Sequence, residues 1–251
     1  MTTHNIPKLI FIVPYRDREE QRIFFEKQMK YILEDMPATD YKILYSHQCD
    51  ERKFNRGAMK NIGFLVIKQM YPQNYKDITI VFNDVDTTPK TKGLLQYNTT
   101  PGIIKHFYGY NYTLGGIVSI TGGDFEKIGG FPNLWAWGFE DNILQNRVIK
   151  HNLIIDRNNF FHINDTNIIQ MTNGFIRELN KDEYILYAKN QADNINDITD
   201  LQYNIDEETG FINISGFDTK YKPTNHILKH DTRNGNRVNF GKNAPSMKMF
   251  F

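Results

Sequence analysis

Lys8-Leu-Ile-Phe-Ile-Val-Pro14 is an uninterrupted apolar run closed by proline, with no alternation of polar and apolar residues. A strand that is apolar on both faces has to be covered on both faces. Such runs therefore select a parallel or mixed sheet flanked by helices over an open antiparallel one. Asp77-Ile-Thr-Ile-Val-Phe-Asn83 is a second run of the same kind.

The segments between these runs have helical period. From Arg18 to Asp35, Phe25, Met29, Ile32, Leu33 and Met36 recur at helix spacing, and Pro37 supplies a stop. A strand is expected over Tyr41 to Tyr45. Asn55 can cap a helix running to Met70 with Met59, Ile62, Gly63, Val66 and Met70 on one face, broken by Tyr71-Pro72. This alternation predicts an α/β fold with right-handed crossovers.

Further on, Leu114 to Ile120 reads as a strand, Gly122 to Ile128 as a short helix, and Glu140 to His151 as a helix with Ile143, Leu144, Arg147 and Val148 in phase. Asp206-Glu-Glu-Thr-Gly210 lies between two alternating runs, so Leu201 to Phe217 is expected to form a β-hairpin.

With 30 basic and 29 acidic residues the formal net charge is +1, so no global field draws this chain to nucleic acid or an anionic membrane. Any phosphate affinity has to be local. Cys49 is the single cysteine, which excludes an intramolecular disulfide and is expected to be a small buried hydrophobe. No stretch approaches the roughly 18 apolar residues of a membrane span. The expectation is a soluble, cytoplasmic protein, and the Asn, Ile and Lys abundance suits an A/T-rich coding sequence, viral or protist.

Asp84-Val85-Asp86 follows the second apolar run directly, where a buried strand surfaces. Carboxylates at the carboxyl edge of an open α/β sheet can hold a divalent cation against a phosphate. An isolated Asp-x-Asp is more often a solvated turn, and Arg16-Asp17-Arg18 alone would be an ordinary charged helix start. Glu140 and Asp141 would alone be favoured by a helix dipole, with tryptophans filling the core.

These segments occur as an ordered set. Val13-Pro-Tyr-Arg-Asp-Arg18, Phe54-Asn-Arg-Gly-Ala-Met-Lys-Asn-Ile-Gly-Phe64, Asp84-Val-Asp86 and Gly129-Gly-Phe-Pro-Asn-Leu-Trp-Ala-Trp-Gly-Phe-Glu-Asp-Asn142 together resemble the β-1,4-galactosyltransferase family. A histidine segment, residues 224–237, completes the pattern. The resemblance implies one GT-A-like catalytic domain over 1–251: a mixed, mostly parallel sheet flanked by helices. Residues 8–110 would be the nucleotide-sugar half and 111–251 the acceptor half. Residues 156–222 match poorly and are taken as a divergent insertion that includes the hairpin. Familiar members carry an N-terminal membrane anchor and a stem in the Golgi, so this sequence either departs from them or is part of a longer chain, and a Golgi location is expected only in the second case.

The resemblance also implies roles. Asp86 would bind Mn²⁺, with Mg²⁺ also suited, together with His230 as the best-matching histidine; His226 is a further candidate and His162 a rival. Pro14, Arg16, Arg18, Phe54, Arg56, Asp84, Val85, Thr113, Gly116 and Trp137 would bind the donor, a UDP-sugar. Trp135, Trp137, Glu140, Asp141 and Asn142 would bind a carbohydrate acceptor, with Asp141 as general base of an inverting transfer and Glu140 orienting the sugars.

Departures from the family pattern bear on specificity. Asn142 stands where the family has a further Asp, and Ala136 replaces a glycine. Thr113 stands where the family has a Tyr whose bulk favours galactose, and its smaller side chain leaves room for a 2-acetamido group unless Tyr112 refills the space. UDP-galactose is still the first choice of donor, with UDP-N-acetylgalactosamine close behind and UDP-glucose as a further option. A non-catalytic sugar-binding module of the same fold is the competing reading. Metal-dependent phosphate-ester hydrolysis would want more clustered carboxylates and histidines.

Overall fold

The computed structural model describes residues 6–172 and 174–234, together with two short strands at 237–238 and 247–248. In chain order the elements are β1 (Leu9–Tyr15), α1 (Glu19–Ile32), β2 (Tyr41–Gln48), α2 (Arg56–Met70), β3 (Thr79–Asn83), β4 (Thr87–Pro89), β5 (Ile103–Gly109), β6 (Ile117–Thr121), α3 (Gly122–Lys127) and α4 (Glu140–Lys150). There follow β7 (Ile154–Asp156), β8 (Phe161–His162), β9 (Ile168–Gln170), β10 (Ile176–Asn180), α5 (Lys181–Ala188), β11 (Thr199–Asp206), β12 (Phe211–Asp218) and β13 (Ile227–Asp231).

The main sheet runs β11-β12-β2-β1-β3-β6-β5-β7, with β8 beside β5. β1 is parallel to β2 and β3, and β12 is parallel to β2, whereas β6 is antiparallel to both β3 and β5. The mixed, mostly parallel α/β sheet expected from the sequence is thus present.

The apolar run of β1 is explained by its two faces. Ile10 and Ile12 pack with Met59, Ile62 and Val66 of α2, while Leu9, Phe11 and Val13 pack with Phe25 and Met29 of α1. Every side chain of β1 is buried. Gly63 lets α2 sit directly on the sheet: a Cβ there would come within 2.6 Å of Ile12 Cγ2 and Ser46 Oγ.

The structure extends or shifts several expected elements. β2 runs on through Ser46, His47 and Gln48 because Ser46 and His47 pair with both β1 and β12, and Gln48 pairs with β12. β6 begins at Ile117 rather than Leu114, since Gly116 adopts a positive φ of 70° and breaks the strand before it. The 201–217 hairpin forms, and it joins the main sheet through β12 and β2. Cys49 lies just beyond β2 and is exposed, which corrects the expectation of a buried hydrophobe.

Among the described residues no helix is long and apolar enough to cross a membrane. The carboxyl end of β3 and the start of β6 lie at one edge, because antiparallel register pairs Asn83 with Ile117. That edge carries Asp84 on one strand and Gly115-Gly116 on the other.

Candidate active site

α2 is pinned at its first turn. The Asn55 side chain accepts the Ala58 N–H at 2.8 Å and donates to the Asn133 carbonyl at 3.0 Å. Gly57 permits contact with the loop, as a Cβ there would lie 1.9 Å from the Pro132 carbonyl oxygen. Asn61 closes the joint by donating to the Phe131 carbonyl at 2.8 Å and accepting the Phe131 N–H at 2.9 Å. The loop that leads to the Trp-Ala-Trp segment is therefore fixed to α2.

Arg56 and Lys60, one helical turn apart, face the first turn of α4. Arg56 Nη1 lies 3.5 Å from Glu140 Oε1, and Lys60 Nζ lies 3.5 Å from Asp141 Oδ1 and 4.0 Å from Asp84 Oδ1. Two cations on one helix thus join the carboxylates of two motifs far apart in the chain.

A left-handed turn delivers the α4 carboxylates. Gly138 has φ 100° and Phe139 φ 71°, the latter uncommon for a bulky residue and held by burial of its ring against Tyr184 and Tyr187. Glu140 and Asp141 then occupy the helix N-terminus, where the dipole favours negative charge.

The Gly115-Gly116 turn lies between the two acidic motifs. A Cβ on Gly115 would fall 2.1 Å from Asp141 Oδ2, and the Gly116 carbonyl accepts the Asp84 N–H at 3.4 Å. Buried His106 braces this turn, its Nε2 lying 3.0 Å from both the Tyr108 and Gly115 carbonyls while Nδ1 accepts from Arg157. Burial and the Arg157 charge push His106 down to about 3, so it stands as a neutral strut.

Electrostatics mark the same centre. Burial pushes the Asp141 carboxyl up to about 7, with Lys60 opposing and Glu140 and Asp84 adding to the rise. Burial and the neighbouring Asp84 likewise raise Asp86. Burial works against the charge on Lys60, yet Asp141 and Asp84 hold its ammonium above the ordinary value. Glu140 Oε2 and Asp84 Oδ1 are buried without a hydrogen-bond partner, which marks this as a place built for a polar ligand.

The Phe54 ring centroid lies 5.4 Å from the Arg16 guanidinium and 5.6 Å from that of Arg56. Arg16 also donates to the carbonyls of Asp50 and Arg52, so part of its fork holds the loop after β2. Arg18 is half-buried at the start of α1, and Pro14 is buried in β1. Thr113 is buried beside the glycine turn, its carbonyl accepting from Arg157. Val85 turns its side chain into the apolar core under α1.

Two expectations need correcting. Trp135, expected to present a flat face to the acceptor, is 2% exposed and stacks on Phe217 of β12; its indole N–H donates to Thr219 and Tyr221. Burial of so large a ring against the hairpin removes it from the sugar surface. Trp137 and Asn142 remain partly exposed. His226, a candidate metal ligand, is exposed and directs Nδ1 to Asp182 at 2.8 Å.

The cation question turns on Asp86 and His230. His230 is buried on β13 with no partner for Nε2, and it stands opposite Arg177 in the β10–β13 register. An unpartnered imidazole nitrogen and a carboxylate raised by a second carboxylate suit a divalent cation. Among the described residues, however, no group of three His, Cys, Asp or Glu side chains could hold a metal. Asp86, His226 and His230 are therefore not brought into one cluster. His162 is exposed on β8 with its ring against Phe160.

Sequence reasoning missed Lys60 and Arg177. The signal for Lys60 was its place four residues after Arg56 on a helix otherwise apolar at that level. Arg177, on β10, has its guanidinium 5.9 Å from the Trp137 ring centroid and feels the charges of Arg56, Asp86 and Arg18. No local pattern announced it.

A family model described as the N-terminal region of glycosyl transferase group 7 matches residues 3–97, and one described as the N-terminal domain of galactosyltransferase matches 104–173. A xylosylprotein 4-beta-galactosyltransferase of Caenorhabditis elegans is 29% identical over 213 residues, 79% of this chain and 72% of that protein. A beta-1,4-galactosyltransferase 4 of Mus musculus is 30% identical over 161 residues, 61% of this chain but only 45% of its own length. The chain thus spans less than half of the mouse relative.

Among solved structures, a Drosophila beta-1,4-galactosyltransferase 7 in complex with manganese, UDP-Gal and xylobiose superposes with a TM-score of 0.61 at 20% identity. The match covers 84% of this chain and 94% of that one, and at this identity it speaks for the fold.

Proposed function

This chain belongs to the glycosyl transferase group 7 family, and on that premise we propose that it is a metal-dependent glycosyltransferase moving a hexose from a UDP-sugar to a carbohydrate hydroxyl with inversion. One observation carries the reading. Asp84 of the Asp-Val-Asp motif and Glu140 and Asp141 of the Glu-Asp motif meet around Arg56, Lys60 and the Gly115-Gly116 turn.

In the proposed reaction the acceptor hydroxyl attacks the anomeric carbon, the bond from that carbon to the UDP oxygen breaks, and the hydroxyl proton passes to Asp141. A carboxyl held near 7 suits a base working at neutral pH. Glu140 offers its unpartnered oxygen to a sugar hydroxyl. Arg56 and Arg18 supply guanidinium groups for the diphosphate, and Phe54 a flat wall for the base.

A bound Mn²⁺ would neutralise the charge that develops on the diphosphate leaving group. Asp86 and His230 are the residues that would hold it, a reading supported by the unpartnered Nε2 of His230 and not by an assembled three-ligand group among the described residues. Galactose is the favoured sugar, as the names of the relatives attach it to their own reactions. N-acetylgalactosamine and glucose are the alternatives left open by Thr113.

The test is Asp141→Asn. Transfer should be abolished while UDP affinity in Mn²⁺ is nearly unchanged; a large loss of UDP binding with residual transfer would defeat the assignment of Asp141.

A further inference from the structure

Lys60 is 2% exposed, and its ammonium lies 4.6 Å from the Phe131 ring centroid. A buried ammonium is costly unless paired, and a methionine would fill the same space without that cost. What Lys60 contributes is therefore sought in its charge. Among the described residues, Lys60 and Arg56 from α2, Glu140 from its own helix and Asp84 from the turn after β3 act on the charge of Asp141. Arg56 is paired with Glu140, so among the described residues Lys60 is the cation within 4.0 Å of Asp141.

We propose that Lys60 is a positioning residue for the proton acceptor: its ammonium holds the Asp141 carboxylate in its charged form and against Gly115, and ties it to Asp84. This rests on the reading of Asp141 as the base. The arrangement places one fixed cation between the motif that meets the donor and the motif that meets the acceptor. Without it, Asp141 would stand beside Glu140 and Asp84 with no cation within 4.0 Å of its own carboxylate, Arg56 being paired with Glu140, and the carboxylate would lose its hold and be less ionised at neutral pH.

The experiment compares wild type with Lys60→Met and Lys60→Arg, with Lys60→Gln as a second neutral variant should Lys60→Met fail to fold. Thermal unfolding first confirms folding. Asp141 is then titrated by carboxyl carbon-13 NMR, its signal assigned by its loss in Asp141→Asn. The neutral variants should move the Asp141 midpoint up by about one pH unit or more, and Lys60→Arg should bring it back toward wild type.

With donor, acceptor and Mn²⁺, the neutral variants should lose about tenfold or more in kcat at pH 7, recovering as pH rises, while KM for the UDP-sugar changes about twofold at most. An unmoved Asp141 midpoint in a folded neutral variant overturns the proposal. So does a loss confined to KM, or an equal loss in Lys60→Arg. If wild type transfers no sugar at all, the functional reading fails on its own, and the NMR titration still decides whether Lys60 governs Asp141.

Discussion

Gly115 has no room for a side chain because Asp141 occupies it: a Cβ would sit 2.1 Å from Asp141 Oδ2. The glycine is thus a wall of the site, set by the neighbouring carboxylate. Gly115→Ala should push Asp141 out of place and lower kcat by about 10- to 100-fold, since a displacement near 1 Å can cost that much. UDP affinity should be retained. Undiminished kcat would show that the carboxylate has freedom the structure does not indicate.

The pH dependence follows from Asp141. Its carboxyl lies at about 7, and a base works only when deprotonated. Turnover should therefore fall as pH drops through about 7 and level off above it. A rate profile between pH 5.5 and 9 checks this; a flat profile to pH 5.5 would mean that bound metal and substrate reset the group or that another residue is the base.

Glu183, at the start of α5, accepts the Trp135 N–H at 2.6 Å and the Ala136 N–H at 3.0 Å. Removing it strands buried N–H groups, so Glu183→Ala should cost about 1–3 kcal/mol of stability. Burial raises this carboxyl to about 7, above its unfolded value. Its favourable contribution is then complete below the unfolded value and lost as pH rises through about 7. Melting temperatures at pH 5 and pH 8 should differ less in Glu183→Gln than in wild type.

Metal binding separates the two histidines. His230→Ala should raise the Mn²⁺ needed for half activity by about 10-fold or more. His226→Ala should leave that requirement unchanged, because the side chain is exposed and engaged with Asp182. The reverse pattern would move the cation toward Asp182.

The legible parts of this molecule are those governed by local rules. Asn55 announced α2 through its capping chemistry, and β1 announced its double burial through unbroken apolarity. Trp135 was misread because its burial depends on Phe217, a residue of a hairpin whose partner strand cannot be read from spacing. Arg177 was invisible for the same reason: β10 gains its place from pairing with β13, and only that pairing puts a guanidinium near Asp86. Lys60 was passed over because a lysine beside an apolar stripe usually reaches solvent, and here the joint between α2 and the 131–133 loop closes over it.

The most direct test is UDP release from UDP-galactose, UDP-N-acetylgalactosamine and UDP-glucose, each with and without Mn²⁺ and with simple sugar acceptors. The account predicts acceptor-stimulated, Mn²⁺-dependent release from one of these donors, UDP-galactose first. UDP binding without turnover of any donor across a broad acceptor panel would contradict it and favour a sugar-binding module built on the same fold.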